Sequence, residues 1–129
     1  MNTTTDFQKQ QIMEGYERLR KFVSDMDIED ENVYYDIRNM IEVKKIALPT
    51  AVYKAMMNFM DQVVEPYVFE DTTEIFSEEE AKRNEKGIVE IKSEQAFQKL
   101  MVRFMEKLSE LDAKIETFAE SELKPYLER

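Results

Sequence analysis

The chain of 129 residues contains no cysteine and no histidine. The missing cysteines exclude disulfides, thiolate metal sites and a cysteine nucleophile, and they are compatible with a reducing compartment. The missing histidines remove the commonest general base, the commonest zinc ligand and the usual pH-sensitive side chain. The sequence also has no glycine-rich phosphate loop, and none of its serines lies in the glycine-rich strand–turn–helix motif that presents a serine nucleophile. We therefore expect neither an enzyme nor a cofactor.

Glycine and proline are scarce, with two and three residues, and a chain with so few breakers favours long helices. The length fits one domain, residues 1–129, that can bury a core. No apolar run approaches the roughly 18 residues of a membrane span. The opening "MNTTTDFQKQQ" lacks the apolar segment of a secretory signal. We expect a single cytoplasmic domain that does not bind a membrane.

Apolar residues recur every three or four positions in four segments, which is the spacing of one helix face. The segments cover about 6–26, 30–45, 49–64 and 93–123. Thr5 and Gln8 fit a capping box, and Asp30 and Ser93 fit N-caps. The pattern predicts a mainly α fold, a four-helix-type bundle with a long C-terminal helix. We expect Pro66 to end the third helix and Lys124 and Pro125 to end the fourth, and we see no internal repeat.

Residues 66–92 form a short insertion of ambiguous structure. "SEEEAKRNEKG" (77–87) has the caps of a short helix, but Ala81 is its only apolar residue. The flanking runs "YVF", "EIF" and "IVEI" have the composition and length of strands. A solvated helical turn, a loop and a β-hairpin all remain open, and a hairpin would make the fold α+β.

The same region concentrates negative charge on a chain whose formal net charge is −10. Asp61, Glu65 and the acids that follow lie between Ala55 and Ala81 without one basic residue, and aromatic side chains interrupt them. Such asymmetry is typical of a surface that attracts a basic partner. The predicted partner-binding residues are Glu65, Tyr67, Phe69, Glu70, Asp71, Glu74, Phe76, Glu78, Glu79 and Glu80.

Met56, Met57 and Met60 precede this segment, and methionines adapt to irregular partners. If a partner groove exists, we expect these three residues to line it. The alternative is that the methionines belong to the core. For the acidic segment, the corresponding alternative is a lid whose rings pack on the bundle.

These features predict a non-enzymatic, acidic interaction or regulatory protein that binds a basic surface of a partner protein. Nucleic-acid-binding enzymes have such surfaces. An inhibitor of the phage-encoded kind, with carboxylates spaced like phosphates, is therefore the sharpest version of the hypothesis.

Two alternatives concern the last helix. Its apolar stripe is longer than its neighbours can cover, which suggests a self-associating structural subunit, a homodimer through that helix. A stripe of basic residues lies beside the apolar stripe on the same helix. It could contact nucleic acid, although the net charge of the chain argues against direct binding. It comprises Lys92, Lys99, Arg103, Lys107 and Lys114.

Two metal-site patterns are present but incomplete. Glu14 and Glu17 have the spacing of a magnesium-binding pair, yet both lie off the apolar stripe of their helix. A calcium loop over 25–36 would use Asp25, Asp27, Glu29 and Asp36. That loop has Asp30 where its turn requires glycine, and Asp36 where it requires a bidentate glutamate. We therefore expect no metal.

Overall fold

A computed structural model describes residues 4–69, 81–83 and 89–128 of the chain. Two 3₁₀ turns, Asp27–Glu29 and Lys44–Ile46, separate the first three helices. The helices are α1 (Asp6–Ser24), α2 (Glu31–Val43), α3 (Thr50–Phe59), α4 (Glu65–Val68), α5 (Glu94–Phe118) and α6 (Lys124–Leu127), and the strands are β1 (Ala81–Arg83) and β2 (Val89–Ile91).

The starts of α1, α2 and α5 follow from their capping residues, as predicted. The Thr5 hydroxyl accepts from the Gln8 N–H at 3.1 Å, and the Gln8 side chain accepts from the Thr5 N–H at the same distance. Asp30 accepts from the Asn32 N–H at 2.9 Å, and Ser93 accepts from the Ala96 N–H at 3.0 Å. Each cap satisfies backbone donors that the first helical turn leaves free.

The helix ends differ from the prediction, because neither Pro66 nor Pro125 terminates its helix. Proline removes a backbone donor and clashes with the carbonyl one turn earlier. In each case a five-residue π-helical segment precedes the proline, Met60–Val64 in the first and Ala119–Leu123 in the second. The i→i+5 hydrogen bonds of the π-helical segment widen the backbone turn and accommodate the proline. Helix α3 therefore continues into α4, and α5 continues into α6.

These two helix ends share a local repeat that we had not expected. Phe59 and Phe118 each precede a π-helical segment, and Pro-Tyr follows at the same spacing in "FMDQVVEPYV" and "FAESELKPYL". The two phenylalanine rings stack on each other, with centroids 4.4 Å apart. The corresponding ends of two helices therefore meet in the core.

The described part of the insertion contains a small antiparallel pair of strands. Ala81 pairs with Ile91, and Arg83 with Val89. The run "IVEI" thus contributes a strand, as the sequence indicated. Ala81–Arg83, in contrast, was expected in a helical turn or loop, and Tyr67–Val68 of "YVF" are helical rather than extended. Residues 70–80 and 84–88, with "EIF" and the caps Ser77, Glu80 and Gly87, lie outside the described residues.

The mainly α architecture with a long C-terminal helix is confirmed. Helix α1 packs against α2 and α5, and α2 packs against α3. Residues 50–68, which run without a break from α3 through the π-helical segment to α4, form the α3–α4 rod. One core cluster contains apolar side chains from α1, α2, this rod and the C-terminal half of α5, among them Ile12, Phe22, Ile37, Val52 and Ile115. The N-terminal turns of α5 contribute instead to a second, small cluster of Ala96, Leu100 and Ile91.

Candidate interaction surface

Three aromatic rings meet where the α3–α4 rod ends. Phe69 follows α4 directly, and its N–H donates to the Glu65 carbonyl at 3.0 Å. Its ring contacts Tyr34 and Tyr35 of α2 edge to face, with centroid distances of 5.4 and 6.0 Å. Tyr34 is buried, whereas Tyr35 is 51% exposed and Phe69 38% exposed. The cluster therefore has a buried base and two rings open to solvent.

The buried base of the cluster has a polar anchor. The Tyr34 hydroxyl donates to the Met60 carbonyl at 3.4 Å, and that carbonyl also accepts the Glu65 N–H at the end of the π-helical segment. Burial raises the pKa of Tyr34, and the negative charges of Glu65 and Asp61 raise it further. The neutral hydroxyl is thus the form that this environment favours.

Asp61 is already paired within the chain. The Arg38 Nε donates to the Asp61 Oδ1 at 3.0 Å, and this hydrogen bond raises the pKa of Arg38. Asp61 therefore adds little to an outward negative field. Glu65, one turn later on the same rod, is exposed and has no ion-pair partner within the described ranges.

Tyr67 faces the last helix rather than α2. Its hydroxyl donates to the Glu110 Oε2 at 3.3 Å. The Lys114 Nζ lies 4.9 Å from its ring centroid, a cation–π distance. The hydrogen bond with Tyr67 raises the pKa of Lys114. Tyr67 thus holds the end of the rod to α5, and its hydroxyl is engaged within the chain.

The acidic loop between α1 and α2 lies beside this rod end, because α4 packs against the Asp27–Glu29 turn. Most acids of the loop have internal roles. Asp25 pairs with Lys21 at 2.6 Å, Glu29 pairs with Lys107 at 3.2 Å, and Asp30 caps α2. Three acids of this loop therefore serve in ion pairs or as a helix cap, and the described residues contain no group of three or more potential ligands.

Of the predicted partner-binding residues, Glu65 and Tyr67 lie on α4 and Phe69 follows it directly, but Tyr67 turns towards α5 whereas Phe69 packs on α2. The structure adds Tyr34 and Tyr35, which the sequence reasoning missed. Their adjacency on α2 was the available signal, because consecutive helix positions point about 100° apart, so two adjacent rings extend from the buried face of a helix towards its exposed side. The other predicted residues, Glu70, Asp71, Glu74, Phe76, Glu78, Glu79 and Glu80, lie outside the described residues.

The expected methionine groove is not an open surface. Met56 and Met60 are fully buried, and Met57 is half-buried against the core. Met56 also packs closely on α1, because a Cβ at Gly15 would lie only 3.0 Å from the Met56 Cε. The small residue at Gly15 lets the two helices approach, so these methionines fill the interior, which was the alternative reading.

The basic stripe of the last helix is partly internal. Lys107 is only 2% exposed and pairs with Glu29. Arg103 lies 3.8 Å from Glu106, and Lys114 covers the Tyr67 ring. The burial of Lys107 removes it from the set that could contact phosphate. Arg103 and Lys107 form salt bridges within the chain, and Lys114 contacts an aromatic ring of the same chain.

None of the described helices combines the length and the apolar character that crossing a membrane requires. Comparisons of the chain with protein-family models, with curated proteins and with solved structures give no match.

Proposed function

We propose that this protein is a non-enzymatic, acidic interaction protein of the cytoplasm that binds a basic surface of a partner protein. The observation that carries the proposal is the pair of exposed rings, Phe69 and Tyr35, beside the exposed carboxylate of Glu65. The acidic run of the sequence begins at this point. Aromatic anchors supply tight contact at interfaces, and like charges around them steer an oppositely charged partner.

The sharpest form of the proposal is an inhibitor, of the kind encoded by phages, that occupies the nucleic-acid site of its target. Carboxylates along 65–80 would then take the places of backbone phosphates. Arginine side chains suit such a surface because a guanidinium binds carboxylates through paired hydrogen bonds and also stacks on aromatic rings. Phe69 and Tyr35 offer faces for that stacking.

A salt-eluted pull-down tests this function. Tagged protein is incubated with a cognate lysate at low salt, and captured proteins are eluted by rising salt. We expect a basic partner that elutes in the gradient, and we expect duplex DNA or RNA to compete for it. Changing Glu70, Asp71, Glu74 and Glu78 to their amides should weaken capture at least about tenfold, because several steering charges are lost.

The matched control changes four exposed acids elsewhere, Glu17, Glu94, Glu122 and Glu128, to glutamine. It alters the net charge by the same amount, so it should retain capture if the position of the charges matters. Phe69→Ala should also weaken capture without changing its salt dependence. Equal loss in both amide variants, or no effect of either, would contradict a localised acidic site.

A second candidate is a self-associating subunit, a homodimer formed through the last helix. The observation that favours it is the apolar surface that the N-terminal half of α5 leaves exposed. Partner binding at the Phe69 end and dimerisation through α5 use different surfaces, so the two proposals are compatible.

A further inference from the structure

The two longest stretches of the sequence without a basic residue meet at the cluster of aromatic rings. Residues 22–37 contain six acids and no base, and residues 55–81 contain eight acids and no base. Their described parts are in contact, because α4 packs against both α2 and the Asp27–Glu29 turn. The fold therefore brings two acidic stretches of the chain to the two rings that are open to solvent, Tyr35 and Phe69.

Each open ring has a glutamate one helical turn before it. Glu31 precedes Tyr35 on α2, and Glu65 precedes Phe69 at the end of the α3–α4 rod. Helix positions four residues apart are neighbours, with Cβ atoms about 5–6 Å apart. Helical side chains also lean towards the N-terminal turn, so Tyr35 leans towards Glu31. The Phe69 N–H donates to the Glu65 carbonyl at 3.0 Å, so this pair keeps the helical spacing.

Both glutamates are available to a cation from outside. Glu31 and Glu65 are exposed, and neither has an ion-pair partner within the part of the chain that the structure describes. Arg38, the only basic residue of α2, is already engaged, since its Nε donates to the Asp61 Oδ1 at 3.0 Å. The two carboxylates beside the open rings therefore keep their full negative charge for a partner.

We infer that this surface binds arginine side chains of the partner in preference to lysine. The inference rests on the proposed function and specifies the chemistry of its partner. A guanidinium stacks flat on an aromatic face, and its planar fork donates two parallel hydrogen bonds to a carboxylate. The Glu31–Tyr35 and Glu65–Phe69 pairs each offer both groups one turn apart. A lysine ammonium lacks the planar fork and is more strongly hydrated, so it gains less from the same two groups.

The two pairs form one site that is held in place before a partner arrives. The centroids of the Tyr35 and Phe69 rings lie 6.0 Å apart. The buried ring of Tyr34 contacts both edge to face, at centroid distances of 5.3 and 5.4 Å. Rings that are already packed lose little conformational freedom on binding, which lowers the ordering cost of the complex.

Two labelled peptides of equal charge, hexaarginine and hexalysine, measure the preference by fluorescence polarisation. The acidic surface steers both peptides, so the ratio of their dissociation constants isolates the side-chain chemistry. We expect hexaarginine to bind the wild type at least about fivefold more tightly, which corresponds to about 1 kcal/mol, the size of an exposed cation–π contact. Tyr35→Leu with Phe69→Leu should reduce the ratio below about twofold while hexalysine still binds. Phe7→Leu, at another ring that is 60% exposed, is the matched control and should retain the ratio.

Glu31→Gln with Glu65→Gln tests the carboxylates and should weaken hexaarginine binding at least about threefold more than Asp36→Asn with Glu17→Gln. This control removes the same charge at exposed sites, and Asp36 points about 100° away from Tyr35 on the same helix. Circular dichroism confirms that all variants fold. Equal binding of the two peptides to the wild type would overturn the preference for arginine but leave the basic partner standing. Binding of neither peptide at about 50 mM salt would contradict the acidic surface itself.

Discussion

Burial of the Tyr34 hydroxyl couples folding to pH at the scale of a single residue. Burial and the nearby carboxylates raise the pKa of Tyr34 above the usual 10.0. The unfolded chain therefore releases this proton at lower pH than the folded chain does. The stabilising effect is complete below about pH 10 and is lost as the pH rises through the folded-state pKa.

Tyr34→Phe tests this coupling, because phenylalanine keeps the ring and removes the titrating group. We expect the free energy of unfolding of the wild type to fall between about pH 9 and pH 11, and that of the variant to fall less. Urea denaturation at several pH values measures both slopes. The raised pKa of Lys114 contributes the same sign in both proteins, so it cancels in the comparison. Identical slopes would show that Tyr34 is not the coupled group.

Residue-level prediction from the sequence succeeded where the signal was local and failed where it depended on packing. The Thr5, Asp30 and Ser93 caps were identified because each satisfies backbone groups within three residues. Lys107 looked like part of a solvent-facing stripe, yet it is buried against Glu29, which lies 78 residues away. Sequence spacing does not report how deep a long side chain lies, because lysine buries its stem readily.

At the scale of helices, the Phe59–Phe118 stack joins the two rods that continue past a proline. Both rings are buried, and stacked aromatic pairs contribute about 0.5–1.5 kcal/mol beyond their burial. Each ring immediately precedes a π-helical segment. The stack therefore holds together the two places where the backbone departs from α-helical geometry.

A double-mutant cycle with Phe59→Leu and Phe118→Leu measures this coupling by urea denaturation. Each single change should destabilise the protein by about 1–2 kcal/mol, and the double change should cost about 0.5–1.5 kcal/mol less than the sum. Phe22→Leu with Phe118→Leu is the matched control, since Phe22 is equally buried and does not stack on Phe118. Additive losses in the first cycle would mean that the rings pack independently.

The helix ends were predicted wrongly for a related reason. Pro66 and Pro125 were expected to stop their helices because an interior proline costs about 3 kcal/mol in a regular α-helix. The π-helical segments relieve the clash, and core contacts of Met60, Val64 and Leu123 stabilise them. Such segments depend on tertiary packing. The shared "F-x6-P-Y" spacing was nevertheless visible in the sequence and is the clue that would have linked the two ends.

At the scale of the whole molecule, charge and apolar surface lie at different places. The exposed rings and Glu65 mark the end of the α3–α4 rod, next to the acidic run. The exposed apolar side chains of α5 are Phe97, Met101, Val102 and Met105, and they lie on a different helix. The salt bridges Arg38–Asp61, Lys107–Glu29 and Lys44–Glu14 pair other charges within the chain. Composition indicated the asymmetry of charge, whereas the separation of the two surfaces required the fold.

Ionic strength should therefore affect the two proposed associations differently. Binding of a basic partner at the acidic surface should weaken by at least about tenfold between roughly 50 and 500 mM salt, because screening shortens the range of steering charges. A homodimer through α5 should change by less than about threefold, because apolar contact would dominate it, and screening of the net charge of −10 lowers the repulsion between copies. Sedimentation for the dimer and surface-immobilised binding for the partner measure the two responses. A dimer that dissociates steeply with salt would mean that charge, and not the exposed apolar side chains of α5, holds the copies together.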